Sequence, residues 1–537
     1  MNKPQARTTP LFAITTPLYY VNDVPHIGSA YTTMVADAIA RFHRLQGHDV
    51  LMITGTDEHG QKIQRSAEAK GVPPQEHCDA IAATFDALWD QLNIQYDRFS
   101  RTTAAKHHPI VKDFFQRVWD NGDIYLSKQQ GWYCVSCEEF KDERELLEGH
   151  YCPIHSNKQV EWRDEDNYFF RLSQYQDQLK ALYQERPDFI QPESRRNEVL
   201  NFVEKGLQDF SISRVNLDWG FPIPNDPKHT IYVWFDALLG YITALLDPDD
   251  DPTLDNALKK WWPINIHLIG KDILRFHAIY WPAMLMSAGL TPPEIVFGHG
   301  FLTKDGRKMG KTTGNTIDPV ALVSRYGSDA VRYYFLKEIE FGQDGDFNET
   351  RFINVLNADL ANDLGNLLNR TLGMTKKYCQ AQIPAVSASD IPEDNPLKAL
   401  GVELRDRVTQ AYHQLNFSHA CTDIFTLIQT CNKYIDEQAP WSLYKEKQQK
   451  QVEIVLYSVL ESVRLSAYLL SPVIPNLSNK IYQQLGFDLD FNNSSQINHP
   501  DLFQHHAQWG ILAAGQPVKK PKPIFAKLDP PTATAST

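Results

Sequence analysis

Two short motifs, far apart in the chain, combine glycine with side chains that donate hydrogen bonds or carry positive charge. The first, His26-Ile27-Gly28-Ser29, stands where a strand pattern gives way to a helix pattern. Backbone N–H groups at a helix start carry partial positive charge and favour a phosphate group. The second, Lys308-Met309-Gly310-Lys311-Thr312, lies in a polar, glycine-rich loop that suits closure over a triphosphate. Alone, the first reads as a structural turn and the second as a solvated charge run. Together they predict a site for a nucleoside triphosphate.

Four further residues have the spacing of a metal site. Cys134 and Cys137 form one pair of ligands, and Cys152 and His155 form a second pair. Thiolate and imidazole ligands in this arrangement favour tetrahedral Zn²⁺. Because four protein ligands leave no position open for a substrate, we expect one structural zinc ion per chain.

The apolar pattern predicts an α/β fold built on a Rossmann-type parallel sheet. A strand at residues 11–16, a helix at about 28–46 and a strand at 50–53 form a βαβ unit. From about residue 121 to 228 the alternation stops, and this stretch contains the cysteines. It then resumes with a predicted strand at 230–235. The sheet is therefore predicted to be split by a zinc-bearing connective insertion and followed by an α-helical bundle.

These patterns divide the chain into six predicted segments. They are the first half of the sheet domain (1–120), the connective insertion (121–228), the second half of the sheet domain with the Lys308 loop (229–320), a linking subdomain (321–355), a helical domain (356–515) and a tail (516–537). The tail is rich in lysine, proline and threonine, a composition that predicts disorder.

Composition restricts the kinds of partner. A net charge of −13 argues against a protein coated in nucleic acid, but it allows RNA binding by one basic face. The sequence has no apolar run of the roughly 18–20 residues that a membrane-spanning helix needs, so we expect no membrane partner. An odd number of cysteines, three of them in metal-type spacing, favours the reducing cytoplasm.

One helix of the predicted bundle has a polar stripe. Asn362, Asn366 and Arg370 recur every four residues opposite an apolar face, and Trp441 follows Pro440 further along the chain. Amide and guanidinium groups bind the exposed base edges of single-stranded RNA, and an aromatic ring stacks on an unpaired base. The alternative interpretation of the stripe is a solvated helix face.

The two glycine-containing motifs resemble the HIGH and KMSKS signatures of class I aminoacyl-tRNA synthetases. Ser29 replaces the second histidine of the first signature, and Gly310 and Thr312 replace the two serines of the second. The surrounding segments are similar to the methionyl-tRNA synthetase family, single zinc-knuckle type, over nearly the whole chain. These segments are residues 16–22, 55–60, 232–237, 270–272 and 276–282.

The resemblance implies ATP-dependent activation of L-methionine to methionyl-adenylate and its transfer to the 3′ terminal adenosine of tRNA(Met). Diphosphate and AMP are the other products, and Mg²⁺ accompanies ATP. The implied catalytic residues are His26, Lys308 and Lys311. The implied ATP-binding residues are His26, Gly28, Ser29, Gly270, Asp272, Lys308 and Lys311. By the same resemblance, Asn362, Asn366, Arg370 and Trp441 bind the anticodon, and the helical domain is an anticodon-binding domain.

The resemblance also implies a methionine pocket. Its residues are Leu18, Tyr20, Asp57, Trp234, Ala237, Leu238, Tyr241, Phe276, His277 and Tyr280. The chemistry of these side chains agrees, because aromatic rings attract a thioether sulfur and a carboxylate suits an α-ammonium group.

Two alternatives stay open from the sequence. One is a class I synthetase for another amino acid, although the insertion is short for an editing domain and all the zinc ligands lie within it. The other is an inactive, zinc-containing RNA-binding paralogue, which the departures at Ser29 and Gly310 allow. No appended dimerising domain is recognisable, so we expect a monomer.

Overall fold

The computed structural model describes residues 9–141, 143–153, 157–215, 217–309 and 314–530. The first part of the chain alternates strands with helices, as the sequence predicts. Its elements are β1 (Leu11–Tyr20), α1 (Ile27–Leu45), β2 (Asp49–Asp57), α2 (Gln61–Lys70), α3 (Pro74–Gln91), β3 (Arg98–Arg101) and α4 (His107–Asp120).

The insertion is built mainly from short strands. Its elements are β4 (Ile124–Cys134), β5 (Glu139–Lys141), β6 (Glu161–Phe170), α5 (Gln176–Glu185), β7 (Ile190–Gln191), α6 (Glu193–Glu204), β8 (Phe210–Ser211), β9 (Ser213–Arg214) and β10 (Pro222–Ile223). Four of these strands form an antiparallel sheet in the order β5-β4-β6-β8. The long β4–β6 ribbon carries the cysteine knuckle, because β4 ends at Cys134 and the other two cysteines follow in the connection to β6.

The second part of the sheet domain and its linking subdomain follow. Their elements are β11 (Asp226–Ile231), α7 (Val233–Thr243), α8 (Leu254–Leu258), β12 (Ile266–Gly270), α9 (Trp281–Ser287), β13 (Ile295–His299), β14 (Leu302–Lys304), β15 (Arg307–Lys308), α10 (Pro319–Tyr326), α11 (Ser328–Glu338) and β16 (Gly345–Phe347). A single π-helical turn, Phe276–Tyr280, leads into α9.

The predicted strand at residues 230–235 is right for residues 230 and 231 and wrong from residue 232 onward. The strand β11 ends at Ile231 and pairs with β9 and β10 outside the main sheet, and Val233 begins helix α7. The reason lies in burial: nearly every residue of α7 is buried. A short run that is apolar on all sides does not reveal whether its period is that of a helix or a strand.

The main sheet is six-stranded and parallel throughout, in the order β3-β2-β1-β12-β13-β7. The chain builds outward from β1 in one direction and then from β12 in the other. Ligands of such sheets bind where the strand order reverses, at the carboxyl ends of the strands. This confirms the Rossmann-type prediction. The strand β7 lies within the predicted insertion, residues 121–228, but pairs with β13 as an edge strand of the main sheet. The predicted boundaries assign this strand to the insertion alone.

Helix α1 connects the sheet to the helical part of the molecule. It is buried on nearly all sides, so its few charged residues are paired. Arg41 Nε lies 2.8 Å from Asp37 Oδ2, and Arg332 Nη2 lies 2.6 Å from the same oxygen. Arg332 also donates to the carbonyl of Val473 at 3.0 Å. Buried charges that pair in this way hold α1, which carries the His26 motif, against the helical domain.

The last part of the chain is helical, as predicted. Its helices are α12 (Glu349–Leu356), α13 (Leu367–Tyr378), α14 (Pro396–His413), α15 (Phe417–Gln438), α16 (Pro440–Lys445), α17 (Gln449–Leu470), α18 (Pro475–Gln484), α19 (Ser494–Ile497) and α20 (Pro500–His506). A π-helical segment, Asn357–Asn366, joins α12 to α13. Among the described residues, no helix combines the length and apolar character that crossing a membrane requires.

The prediction of a disordered tail is wrong for residues 516–530, which pack against the helical domain. Asn357 accepts a hydrogen bond from the backbone of Leu528 at 2.7 Å and donates one back at 2.8 Å. Ile524 is 3% exposed and serves as an apolar anchor. The prediction of disorder used the average composition of the tail, which does not reveal a single buried apolar residue such as Ile524. Residues 531–537 lie outside the described residues.

Candidate active site

A cleft of about 430 Å³ opens at the carboxyl edge of the main sheet. The last residue of each of the four central strands lines it: Tyr20 of β1, Asp57 of β2, Gly270 of β12 and His299 of β13. The start of α1 and the start of α7 complete the walls, together with part of the insertion. The cleft therefore lies at the strand-order reversal, where a parallel sheet of this kind binds its ligands.

His26 stands at the start of α1 and faces this cleft. Its Nδ1 accepts hydrogen bonds from the backbone N–H groups of Gly28 at 3.0 Å and Ser29 at 3.3 Å. Desolvation within the cleft lowers the pKa of His26, with the Asp272 carboxylate acting in the opposite direction. The neutral imidazole therefore carries its proton on Nε2 and offers a donor. The two backbone groups that the sequence suggested for phosphate binding are instead used to orient this ring.

The glycine of this motif is required by the same geometry. A Cβ atom at Gly28 would lie 2.9 Å from His26 Cε1, so a side chain would displace the ring. The Ser29 hydroxyl lies 3.5 Å from His26 Nε2. Ser29 therefore occupies the place of the second signature histidine as a small polar neighbour of the first.

Asp57 is a buried carboxyl group at the end of β2 that lines the cleft. It is 5% exposed, and its Oδ1 has no hydrogen-bond partner among the described residues. Burial raises the pKa of Asp57 well above its ordinary value, and the nearby carboxylates of Asp236 and Glu138 raise it further. A buried carboxylate oxygen without a partner is costly, so the geometry favours a cationic ligand at this position.

A pair of stacked rings forms the apolar wall. The rings of Trp234 and Phe276 lie 4.0 Å apart between centroids with an interplanar angle of 7°. Leu18 and Tyr20 line the cleft beside them. A flexible, polarizable side chain fits such an aromatic surface.

The other predicted pocket residues lie behind this wall. Ala237, Leu238, Tyr241 and His277 are buried, and the Tyr241 hydroxyl lies 2.9 Å from His277 Nε2. Burial lowers the pKa of His277 to about 4, which keeps it neutral. Tyr280 lines a neighbouring cavity on the insertion side. Five of the ten predicted pocket residues thus line the cleft: Leu18, Tyr20, Asp57, Trp234 and Phe276. The other five lie outside the lining of the cleft.

Gly270 ends β12, Asp272 lies two residues further on, and both line the cleft. A Cβ atom at Gly270 would lie 2.5 Å from Asp272 Oδ1, so glycine leaves the space that this carboxylate occupies. Lys271 between them points elsewhere. Its Nζ lies 2.6 Å from Asp344 Oδ1.

The second signature motif is only partly described. Lys308 ends β15, which pairs with β14, and its side chain is exposed to solvent. The Asn315 side chain donates to the Lys308 carbonyl at 3.1 Å. Lys308 is not among the residues that line the cleft, and Lys311 lies outside the described residues.

Sequence reasoning missed several residues that line the cleft. His299 lies 2.7 Å from the Thr32 hydroxyl through its Nε2, and Glu138 enters the cleft from the insertion. The signal available for His299 was its position two residues after the apolar run Ile295-Val296-Phe297. Glu138 gave no comparable signal, because its neighbours in the chain read as a separate metal site.

Three cysteines of the insertion form a cluster that is able to hold a metal ion. The Sγ atoms of Cys134, Cys137 and Cys152 all lie within 4.8 Å of one another, and those of Cys137 and Cys152 are 3.5 Å apart. Such a set of soft sulfur donors fits the predicted zinc ion. The fourth predicted ligand, His155, lies outside the described residues.

The predicted RNA-binding residues lie on the surface of the helical domain. Asn362 and Asn366 are exposed, and Trp441, at the start of α16, is 38% exposed. Arg370 is held in place, because its Nη1 lies 2.8 Å from Asp436 Oδ1.

A cleft at the carboxyl edge of a parallel sheet, lined by aromatic rings, a buried carboxyl group and a histidine-capped helix start, fits the class I aminoacyl-tRNA synthetases that the two motifs resemble. Comparison with known families supports this class. A family model described as tRNA synthetases class I (M) matches residues 12–160 and 143–372. A model described as the anticodon binding domain of methionyl tRNA ligase matches residues 383–534.

The relatives specify the amino acid. A methionine–tRNA ligase from a Nostoc species is 72% identical over 518 residues, covering 96% of this chain and 97% of the relative. The corresponding Synechocystis ligase is 70% identical and covers 98% of this chain and 99% of the relative. The solved methionyl-tRNA synthetase of Mycobacterium tuberculosis in complex with methionyl-adenylate is 40% identical, with a TM-score of 0.88 over 96% of this chain and 100% of that one. The chain belongs to the methionyl-tRNA synthetase family and is an ATP-dependent methionine–tRNA ligase.

Proposed function

We propose that the cleft at the carboxyl edge of the main sheet binds L-methionine and ATP side by side and joins them as methionyl-adenylate. The observation that carries this assignment is the buried carboxyl group of Asp57, which lines the cleft and whose Oδ1 has no hydrogen-bond partner among the described residues. The complex of the Mycobacterium tuberculosis relative with methionyl-adenylate supports it.

The two ends of the methionine molecule contact different groups of the pocket. The Asp57 carboxylate accepts hydrogen bonds from the α-ammonium group, and the Trp234–Phe276 stack receives the thioether chain beside Leu18 and Tyr20. The buried residues Ala237, Leu238, Tyr241 and His277 and the half-buried Tyr280 keep these contacting groups in position.

ATP occupies the other side of the cleft. Gly28, Ser29 and Gly270 provide a close approach for the nucleotide, and Asp272 accepts hydrogen bonds from the ribose. One oxygen of the methionine carboxylate attacks the α-phosphorus, the bond to the bridging oxygen breaks, and pyrophosphate leaves with its electron pair. Little covalent chemistry falls to the protein, whose contribution is positioning and charge stabilisation.

His26, Lys308 and Lys311 stabilise the charge that develops during this step. The Nε2–H of His26 donates to the phosphate oxygens, because its Nδ1 is already used by Gly28 and Ser29. Since Lys308 is exposed outside the cleft, its loop must close to reach the departing pyrophosphate. Mg²⁺ accompanies ATP and neutralises part of the triphosphate charge.

In the second step the methionyl group passes to the terminal adenosine of tRNA(Met). A ribose hydroxyl, which is the 2′-hydroxyl if the enzyme follows other class I synthetases, attacks the carbonyl carbon of the methionyl-adenylate and loses its proton. The bond from that carbon to the phosphate oxygen breaks, and AMP leaves. Asn362, Asn366, Arg370 and Trp441 bind the anticodon, because they offer amide, guanidinium and aromatic groups on the surface of the helical domain.

Cys134, Cys137, Cys152 and His155 hold one structural zinc ion, which stabilises the fold of the knuckle. The donor set supports this proposal, since three soft sulfur atoms converge at the end of β4. The monomeric state stays a prediction, which analytical ultracentrifugation of the purified protein tests. The cytoplasmic location also stays a prediction, which cell fractionation tests.

The test is amino-acid-dependent ATP–pyrophosphate exchange, run with each of the twenty amino acids and without tRNA. We expect exchange with methionine and loss of exchange in a His26→Ala variant that keeps its melting temperature. Exchange with another amino acid would overturn the pocket assignment. An unchanged rate in the His26→Ala variant would overturn the catalytic role of that residue.

A further inference from the structure

Glu138 joins the metal knuckle to the cleft. It follows Cys137 directly in the chain and is 5% exposed. Its Oε1 accepts a hydrogen bond from the Tyr20 hydroxyl at 2.7 Å and another from the backbone N–H of Lys62 at 2.8 Å. A single buried carboxylate therefore ties together the insertion, the end of β1 and the first turn of α2.

The surrounding backbone is shaped to admit this carboxylate. Glu138 itself has φ of 53°, a left-handed conformation that a residue other than glycine adopts only when its surroundings impose it. Opposite it, Gly60 has φ of 108°. A Cβ atom at Gly60 would lie 2.6 Å from Glu138 Oε2 and 2.8 Å from the Tyr20 hydroxyl oxygen. Both the knuckle and the loop after β2 are thus built around the Glu138–Tyr20 contact.

Tyr20 is held on a second side as well. Lys62 Nζ lies 5.4 Å from the centroid of the Tyr20 ring, and Tyr20 stands opposite Asp57 in the β1–β2 ladder. The hydroxyl bond to Glu138 fixes the ring along its axis, and the lysine contact restrains one face. Glu138 and Lys62 therefore fix the orientation of the Tyr20 ring, which lines the cleft.

We propose that Glu138 is a positioning residue for methionine binding, which orients the Tyr20 ring beside Asp57 before the amino acid arrives. The inference rests on the proposed function, in which Tyr20 and Asp57 contact methionine. A wall that is ordered in advance lowers the entropic cost of binding.

The experiment compares Glu138→Ala and Tyr20→Phe in full-length, metal-loaded protein. Each removes the same hydrogen bond from a different partner. We expect each to raise the KM for methionine about tenfold, which corresponds to about 1.4 kcal/mol, while the KM for ATP and kcat change less than about twofold. Glu138→Ala also removes the hydrogen bond from the Lys62 N–H, so the double variant should match Glu138→Ala, since the Tyr20–Glu138 bond is lost only once. Equilibrium methionine binding without ATP, followed by tryptophan fluorescence, should show the same ratio.

The control is Glu145→Gln, an exposed carboxylate of the same insertion, which should leave both KM values unchanged. An unchanged methionine KM in Tyr20→Phe would overturn the proposal, and this variant leaves the knuckle intact if Glu138→Ala fails to fold. Effects that multiply in the double variant, or an equal rise in the KM for ATP, would also overturn it. Asp57→Asn tests the methionine pocket separately from the positioning role of Glu138. If it raises the KM for methionine while the other variants do not, only the positioning role fails. If it has no effect either, the pocket assignment fails.

Discussion

Replacing Asp57 by asparagine removes the buried charge of the cleft while keeping the shape of the side chain. A unit charge attracts an ammonium 4 Å away by about 4 kcal/mol at an effective dielectric constant of 20. Desolvation of both groups opposes this, and hydrogen bonds to charged groups contribute about 1.5–3 kcal/mol net. We therefore expect the KM for methionine to rise about 30- to 150-fold, for about 2–3 kcal/mol. The kcat should change less, since the ammonium contact exists in both the ground state and the transition state.

The same residue predicts a pH dependence. Methionine binds the ionised carboxylate, and burial raises the pKa of Asp57 well above its ordinary value. Methionine affinity should therefore be full above this raised pKa and be lost as the pH falls through it, at a higher pH than for an exposed carboxyl group. The assay is ATP–pyrophosphate exchange over a pH series, with the KM for methionine and for ATP measured separately.

Two results would refute this reasoning. One is a methionine KM in the Asp57→Asn variant within about threefold of the parent protein, far below the expected range. The other is an acid rise in methionine KM that persists unchanged in that variant, because the titrating group would then be a different one. Circular dichroism and thermal melting of the variant serve as the folding control.

Three further predictions concern the rest of the molecule. Cys137→Ser should lose zinc, measured by atomic emission, and should melt at a lower temperature than the parent protein. Trp441→Ala should lower kcat/KM for tRNA aminoacylation about tenfold or more, since stacking on one base is worth about 1–3 kcal/mol, while ATP–pyrophosphate exchange stays unchanged. Arg464→Met should lower the free energy of unfolding by about 3–5 kcal/mol in urea titrations, because it leaves Glu461 buried without its partner 2.6 Å away.

A control variant accompanies Arg464→Met, and each of the three predictions has a result that would contradict it. Arg405→Met breaks a surface pair with the exposed Asp406 and should cost less than about 1 kcal/mol. An equal loss in both arginine variants would contradict the role of burial. Full zinc content in Cys137→Ser would remove that residue from the metal site. A fall in exchange as well as aminoacylation in Trp441→Ala would contradict its assignment to tRNA.

Where the sequence carried a clear period, it predicted the fold. The unit β1–α1–β2 and the helical domain follow from apolar spacing, and the parallel sheet follows from the alternation of strand and helix. The first three residues of α7, 233–235, were misread as the end of a strand, because burial on all sides removes the period. The edge strand β7 was missed because its two residues are too short to give a pattern.

The site was predictable to a similar depth. Tyr20, Asp57, Trp234 and Phe276, which the resemblance assigned to the methionine pocket, line one cleft, and their contact with methionine stays a prediction. The contribution of Glu138 was not predictable, since it depends on a contact between residues 118 positions apart in the chain. The orientation of the His26 ring by its own helix start was also hidden, because no sequence pattern separates a capping histidine from one that binds a ligand directly.

The most direct test of the account is a crystal structure of the full-length protein with a non-hydrolysable analogue of methionyl-adenylate. We predict that the ammonium nitrogen lies about 3 Å from Asp57 Oδ1, at hydrogen-bonding distance. We also predict that the thioether rests against the Trp234–Phe276 stack and that the ribose contacts Asp272. An analogue bound outside this cleft, or bound within it with Asp57 still unpaired, would contradict the central claim.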